Sequence, residues 1–94
     1  MLVERAKEVS ELLKVISNEN RLVIVCYLID KPMTVSELHE KLDNLTQSAL
    51  SQHLSILKAH RILDSAKNGL NITYSIQDQR IIKVIETLKQ NYCH

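Results

Sequence analysis

A small, mostly helical domain closed by one β-hairpin is the fold class that this 94-residue chain predicts. Three observations predict it. Apolar residues recur at helical spacing in run after run, Thr34 to Glu37 form a helix-starting capping box, and the chain's one glycine follows Asn68 between two strand-like runs. Leu2, Ala6, Val9, Leu13 and Ile16 lie alternately four and three residues apart, which predicts an amphipathic first helix ending near Ser17-Asn18. Asn18 is placed to cap a second helix whose inner stripe is Leu22, Val25, Cys26 and Ile29, and Asp30-Lys31-Pro32 stops it. In Thr34-Val35-Ser36-Glu37 the hydroxyl and the carboxylate satisfy reciprocal backbone donors. Met33 can staple against Leu38 across that box, so a short third helix runs to about Leu42.

Asp43-Asn44-Leu45 then turns the chain into a fourth helix, capped by Thr46 and running to His60. Leu50, Leu54 and Leu57 recur on its inner side, while Gln47, Ser48, Ser51, Gln52 and Ser55 point away from them. Beyond His60 the period changes. Ile62 to Lys67 and Leu70 to Ile76 read as strands, with Leu70, Ile72, Tyr74 and Ile76 alternating. Asn68-Gly69 is the expected pair of central turn residues, both at positive φ. Asp78 caps a last helix with Ile81, Ile85, Leu88 and Tyr92 on one face. Two short helices across a small polar turn have helix-turn-helix spacing. Four helices, a hairpin wing and a fifth helix make residues 1–94 a single winged helix-turn-helix domain.

The composition narrows what such a domain does. Hydrophobic residues make up 45% of the chain with no Trp or Phe, so the core is aliphatic apart from Tyr27, Tyr74 and Tyr92. A domain of this size buries only about 60–65% of its unfolded surface, which favours a dimer. Net charge is +1, so any attraction to nucleic acid has to come from local placement. From Thr46 to Tyr74, Lys58, Arg61 and Lys67 oppose only Asp64. No apolar run approaches 18 residues and no basic start leads into an apolar signal region, so the expectation is a cytoplasmic protein without membrane contact. Two cysteines in such a chain argue against a disulfide framework and leave buried thiols, a metal site or a redox switch open. One glycine is too few for a phosphate loop or a nucleophile elbow, and nothing points to an enzyme.

The outward face of the Thr46 helix suits the DNA major groove, because Gln pairs bidentately with adenine edges and Ser reads bases or phosphates. With that helix the chain resembles the ArsR/SmtB family of winged-helix repressors from about Leu13 to its end. The resemblance rests on Ile16-Ser-Asn-Glu-Asn-Arg-Leu22, Ser36-Glu-Leu38, Gln47-Ser-Ala-Leu-Ser-Gln-His-Leu54 and Leu57-Lys-Ala-His-Arg-Ile-Leu63. It implies a homodimer formed by the first and last helices and a palindromic double-stranded DNA operator with half-sites about one helical turn apart. The expected DNA contacts are Thr46, Gln47, Ser48, Ser51, Gln52 and His53, with Lys67 and Asn68 of the wing on the backbone or minor groove.

Many family members sense metals, and an alternative reading is a metal-responsive repressor. The family's Cys-x-Cys positions hold Thr34 and Ser36 here. Of the family's ligand positions on the last helix, Asp78 and His94 match, but Arg80 and Asn91 occupy the other two. Half a ligand set falls short of the four donors zinc wants, so no metal and no cofactor is expected. His39, His53, His60 and His94 fall on separate elements with no pair at metal spacing. Cys26 early and Cys93 late instead look like the family's dithiol subgroup, the BigR/SqrR/HlyU-like regulators, where reactive sulfur or oxidants link the two cysteines. Lys89, one turn before Cys93, would favour a thiolate there. A reading from a different class is a winged-helix interaction module that does not bind DNA.

Overall fold

Residues 2–93 are described by a computed structural model. A 3₁₀ turn at Val3–Arg5 leads into helix α1 (Ala6–Ile16) and then α2 (Glu19–Asp30). A two-residue strand β1 (Met33–Thr34), α3 (Val35–Lys41) and α4 (Gln47–Ala59) follow. Strands β2 (Leu63–Asn68) and β3 (Asn71–Ile76) form the wing, and α5 (Arg80–Tyr92) closes the fold. This is the winged helix-turn-helix order, with β3 central in an antiparallel sheet of order β1-β3-β2.

Local chemistry sets the boundaries. Asn18 Oδ1 accepts from the Arg21 N–H at 3.1 Å and starts α2. The α3 capping box closes in both directions: Glu37 N–H to Thr34 Oγ1 at 3.1 Å, and Thr34 N–H to Glu37 Oε1 at 3.0 Å. Thr46 Oγ1 accepts from the Ala49 N–H at 3.1 Å and caps α4. Asp78 Oδ1 accepts from the Arg80 N–H at 3.1 Å, so it caps α5 one residue further out than a standard N-cap.

The core is aliphatic and centres on α4. Leu50, Leu54 and Leu57 are fully buried, together with Ile24 and Val25 of α2, Leu38 of α3, and Leu63 at the root of the wing. No helix among the described residues is long and apolar enough to cross a membrane.

Several elements differ from what the sequence alone predicts. Cys26 is not on the inner stripe of α2: it is exposed, and Ile24, Val25 and Leu28 are the buried residues. The helix is apolar on nearly every side, so periodicity could not choose its inner face. On α1 only Val15 and Ile16 are buried, and Leu2 and Leu13 of the expected stripe are 68% and 50% exposed. Asn68 pairs with Asn71, so the wing turn is Gly69-Leu70 rather than Asn68-Gly69. Gly69 alone carries a positive φ there, 64°, as a type II′ turn requires, so the residue without a Cβ takes the one demanding position. Strand β1, pairing Met33 with Tyr74, was not expected, because two residues carry no alternation.

The end of α4 holds a Schellman motif. Arg61 N–H donates to the Lys58 carbonyl at 2.9 Å and Ile62 N–H to the Leu57 carbonyl at 3.0 Å. Arg61 therefore sits at φ 59°, where glycine is usual. Replacing Arg61 with Gly should stabilise the fold by about 0.5–1 kcal/mol, the left-handed cost less the extra entropy of glycine. Thermal unfolding of the two proteins measures it. Leu54→Ala should cost about 2–5 kcal/mol in the same assay.

Candidate nucleic-acid interface

Burying Leu50, Leu54 and Leu57 leaves the opposite side of α4 in solvent. Gln47, Ser48, Ser51, Gln52 and Ser55 are all exposed there. Ser48, Ser51, Gln52, Ser55 and the partly exposed Ile56 line a shallow, open depression along the helix. Every one of these side chains but Ile56 both donates and accepts hydrogen bonds, and Ile56 offers an apolar surface of the kind a thymine methyl meets.

Side-chain hydrogen bonds tie both ends of the helix that presents this face. His39 Nε2 donates to the Leu45 carbonyl at 2.9 Å, which pins the turn between α3 and α4. The first turn of α4 carries no acidic residue, so its positive dipole end and free N–H groups stay open to an anion. At the other end, Lys58 Nζ donates to Ser65 Oγ at 2.7 Å and ties α4 to β2. Lys58 follows Gln47, Ser51 and Ser55 along one face, a spacing visible in the sequence but not singled out there. Asp64, the lone carboxylate of this region, accepts from the Ser65 N–H at 2.8 Å.

The other expected contacts fall in two places. Lys67 and Asn68 stand exposed near the wing tip, opposite Ile72 and Asn71. Thr46 is exposed, with its hydroxyl engaged in the cap. His53, by contrast, is half-buried on the flank of α4 that faces α2. Its Nδ1 lies 3.3 Å from Arg21 Nη1, and since a guanidinium only donates, the ring nitrogen accepts. Burial, and then the Arg21 charge, hold its pKa below the usual histidine value. No local spacing marks Arg21 as the partner of His53, because the two lie 32 residues apart.

Cys26 and Cys93 are both free and exposed, and neither lines the depression along α4. Enough protein surrounds the Cys26 sulfur for burial to be the main influence raising its pKa. Negative charge at Cys93 and Asp30 raises it further, and Lys89 opposes them. Charges from the end of α2 and from the C-terminal part of α5 thus both act on Cys26. Among the metal positions considered, Asp78 is taken by Arg80, whose Nε and Nη2 lie 2.9 and 2.8 Å from its two oxygens. His94 lies outside the described residues. Among the described residues no three of His, Cys, Asp and Glu converge to hold a metal.

Comparison with known proteins agrees with this architecture. Residues 18–65 match the family described as bacterial regulatory protein, arsR family. The transcriptional activator HlyU of Vibrio cholerae is 39% identical over 82 residues, covering 87% of this chain and 75% of that protein. The biofilm growth-associated repressor of Agrobacterium fabrum is 34% identical over 90 residues, covering 96% of this chain and 76% of that one. The crystal structure of the transcriptional repressor BigR from Xylella fastidiosa superposes with a TM-score of 0.92 at 30% identity, over 99% of this chain and 94% of BigR.

The raised pKa of Cys26 sets an expected pH profile. Its alkylation by iodoacetamide, followed by mass spectrometry, should stay slow at neutral pH and climb only above the ordinary thiol range. Cys93→Ser should move that midpoint down and Lys89→Met should move it up. Fast alkylation of Cys26 at pH 7 in the parent chain would contradict this environment.

Proposed function

The chain belongs to the ArsR family of bacterial regulatory proteins and is a transcriptional regulator, and we propose that it is a homodimeric, sequence-specific DNA-binding repressor with a thiol switch. The observation that carries this reading is the outer face of α4, rich in hydrogen-bonding side chains, free of carboxylates and capped at an open N-terminus. In the proposed complex Gln47, Ser48, Ser51 and Gln52 read base edges and phosphates, Thr46 brings the helix N-terminus to the backbone, and Lys67 and Asn68 flank the site from the wing. His53 supports the face from behind. Lys58, Arg61 and Lys67 supply the local positive charge that a net charge of +1 does not.

Dimerisation is supported by apolar surface that the monomer leaves bare. Leu2, Val3 and Leu13 at the N-terminal end, and Val84, Leu88 and Tyr92 on α5, are between 39% and 80% exposed. Exposed large apolar side chains gathered on the N-terminal segment and α5 mark an interaction surface. A two-fold axis there would present two copies of α4 to a palindromic operator.

For the switch, Cys26 on the core-forming α2 and Cys93 at the end of α5 are accessible and electrostatically coupled. One solved relative is described as reduced HlyU from Vibrio cholerae. With a persulfide as oxidant, two thiols and one RSSH give a Cys26–Cys93 disulfide, RSH and H₂S. That link would fix α2 against α5 and change the relative tilt of the two subunits.

Selection of operators from a random DNA pool, followed by affinity measurement over a salt series, tests the reading. A palindrome should emerge. Gln47→Ala with Ser51→Ala should lose about 1–3 kcal/mol of discrimination for each bidentate contact removed. Lys67→Ala should weaken all sequences alike and lower the salt slope by about one. An organic persulfide should change operator affinity of the parent but not of Cys26→Ser/Cys93→Ser. No enrichment of any sequence, with no salt-dependent binding, would point to the interaction-module alternative.

A further inference from the structure

Arg21 joins three helices through one side chain. Its Nε donates to the Val15 carbonyl in the last turn of α1 at 2.7 Å, and its Nη1 donates to His53 Nδ1 in the middle of α4 at 3.3 Å. Its own N–H is held by Asn18 Oδ1, so the base of the side chain is fixed by the α2 cap. The guanidinium is a planar fork whose donors keep a set angle, so satisfying one acceptor constrains the direction to the other.

The place of His53 gives this link its consequence. Leu50, Leu54 and Leu57 hold α4 against the core, but contacts among aliphatic side chains are weakly directional and permit the helix to roll about its axis. A hydrogen bond at the flank of the helix resists that roll. With a side-chain radius of about 5–6 Å, a roll of about 10° carries the tip of Gln47 or Ser51 through about 1 Å. A bidentate contact to a base edge does not survive such a shift well.

We propose that Arg21 is a positioning residue for DNA recognition: through His53 Nδ1 it sets the roll of α4 relative to the end of α1, without touching DNA itself. This rests on the reading that α4 enters the major groove. It assigns Arg21 and His53 one shared job, and it requires the neutral imidazole with its proton on Nε2.

Four single variants of the full chain test it: Arg21→Met, Arg21→Lys, His53→Leu and His53→Asn. Asn places its Oδ1 about where the imidazole places Nδ1, so it keeps the acceptor. Arg21→Met and His53→Leu should each lower affinity for the selected operator about tenfold, with circular dichroism and dimer mass unchanged. Arg21→Lys, which keeps the charge but not the fork, should resemble Arg21→Met. The Arg21→Met/His53→Leu double variant should be no worse than either single one, because both remove the same link. His53→Asn should stay within about twofold of the parent. The salt slope should be unchanged throughout.

A slope lowered by about one in Arg21→Met would make Arg21 a phosphate contact and overturn the proposal. Additive losses, or His53→Asn as damaging as His53→Leu, would also overturn it. Should Arg21→Met fail to fold, the His53→Asn and His53→Leu comparison still decides. Nitrogen-15 NMR of the His53 ring without DNA gives an independent readout. An Nε2–H ring whose Nδ1 resonance moves toward that of a free imidazole nitrogen in Arg21→Met supports the link, and a proton on Nδ1, or an Nδ1 resonance indifferent to Arg21→Met, refutes it. A parent chain that binds no DNA would sink the α4 reading and this role together, while the Nδ1 resonance would still report whether the link exists.

Discussion

Burial of Leu50, Leu54 and Leu57 along one side of α4 is the constraint from which the rest of the molecule follows. Those three side chains lie in one core with Ile24, Leu38 and Leu63. Once they are inside, Gln47, Ser48, Ser51, Gln52 and Ser55 on the opposite side are left in solvent. The same burial anchors the elements on either side. α3 and its capping box are held to α4 by a turn that His39 pins, and the wing grows from Leu63 directly after the Schellman motif. A regulator needs a polar face delivered at a fixed attitude; here burial of the apolar face turns it outward, and in the proposed account the Arg21 to His53 link sets its roll.

The chain carries little net charge, and its electrostatics are accordingly local. The positive end of α4 is left without a carboxylate, Asp64 turns its oxygen to its own backbone, and Lys58 sits where helix and wing meet. Such an arrangement trades long-range attraction for orientation. The bare apolar residues of the N-terminal segment and α5 bear on the other weakness of so small a domain. Partnering them in a dimer would add buried area and double the number of local charges facing one ligand. In the proposed switch, the thiols act on α2 and α5 rather than on α4, and α2 also carries Arg21.

Much of this was legible in the sequence, for local reasons. Asn18, Thr34 with Glu37, and Thr46 announce helix starts because each cap closes within three residues, and all three hydrogen-bond as expected. The stripe of α4 was legible because polar and apolar residues alternate cleanly at helical spacing. On α2 the apolar residues go almost all round, so the pattern puts Cys26 inside although it lies outside. At the wing tip, Asn-Gly invited a type I′ turn, yet glycine at the first central position serves a type II′ turn equally well, and the register moved by one. The exposed stripe of α1 reads as a core face in one chain's pattern, because a sequence does not distinguish surface buried in the fold from surface reserved for a partner. The Arg21 to His53 link and the β1 to β3 pairing join residues far apart in the chain, and no local spacing encodes either.

Operator recognition of the kind proposed requires α4 to enter the major groove of DNA as one of a symmetric pair. Dimethyl sulfate footprinting on a selected operator reads this directly, since the reagent methylates guanine N7 in that groove. Reduced protein should protect two patches about one helical turn, roughly 10 base pairs, apart, and protection should fade in Gln47→Ala/Ser51→Ala. A bound complex with every guanine N7 still reactive, or protection indifferent to those substitutions, would show that this face of α4 serves some other partner.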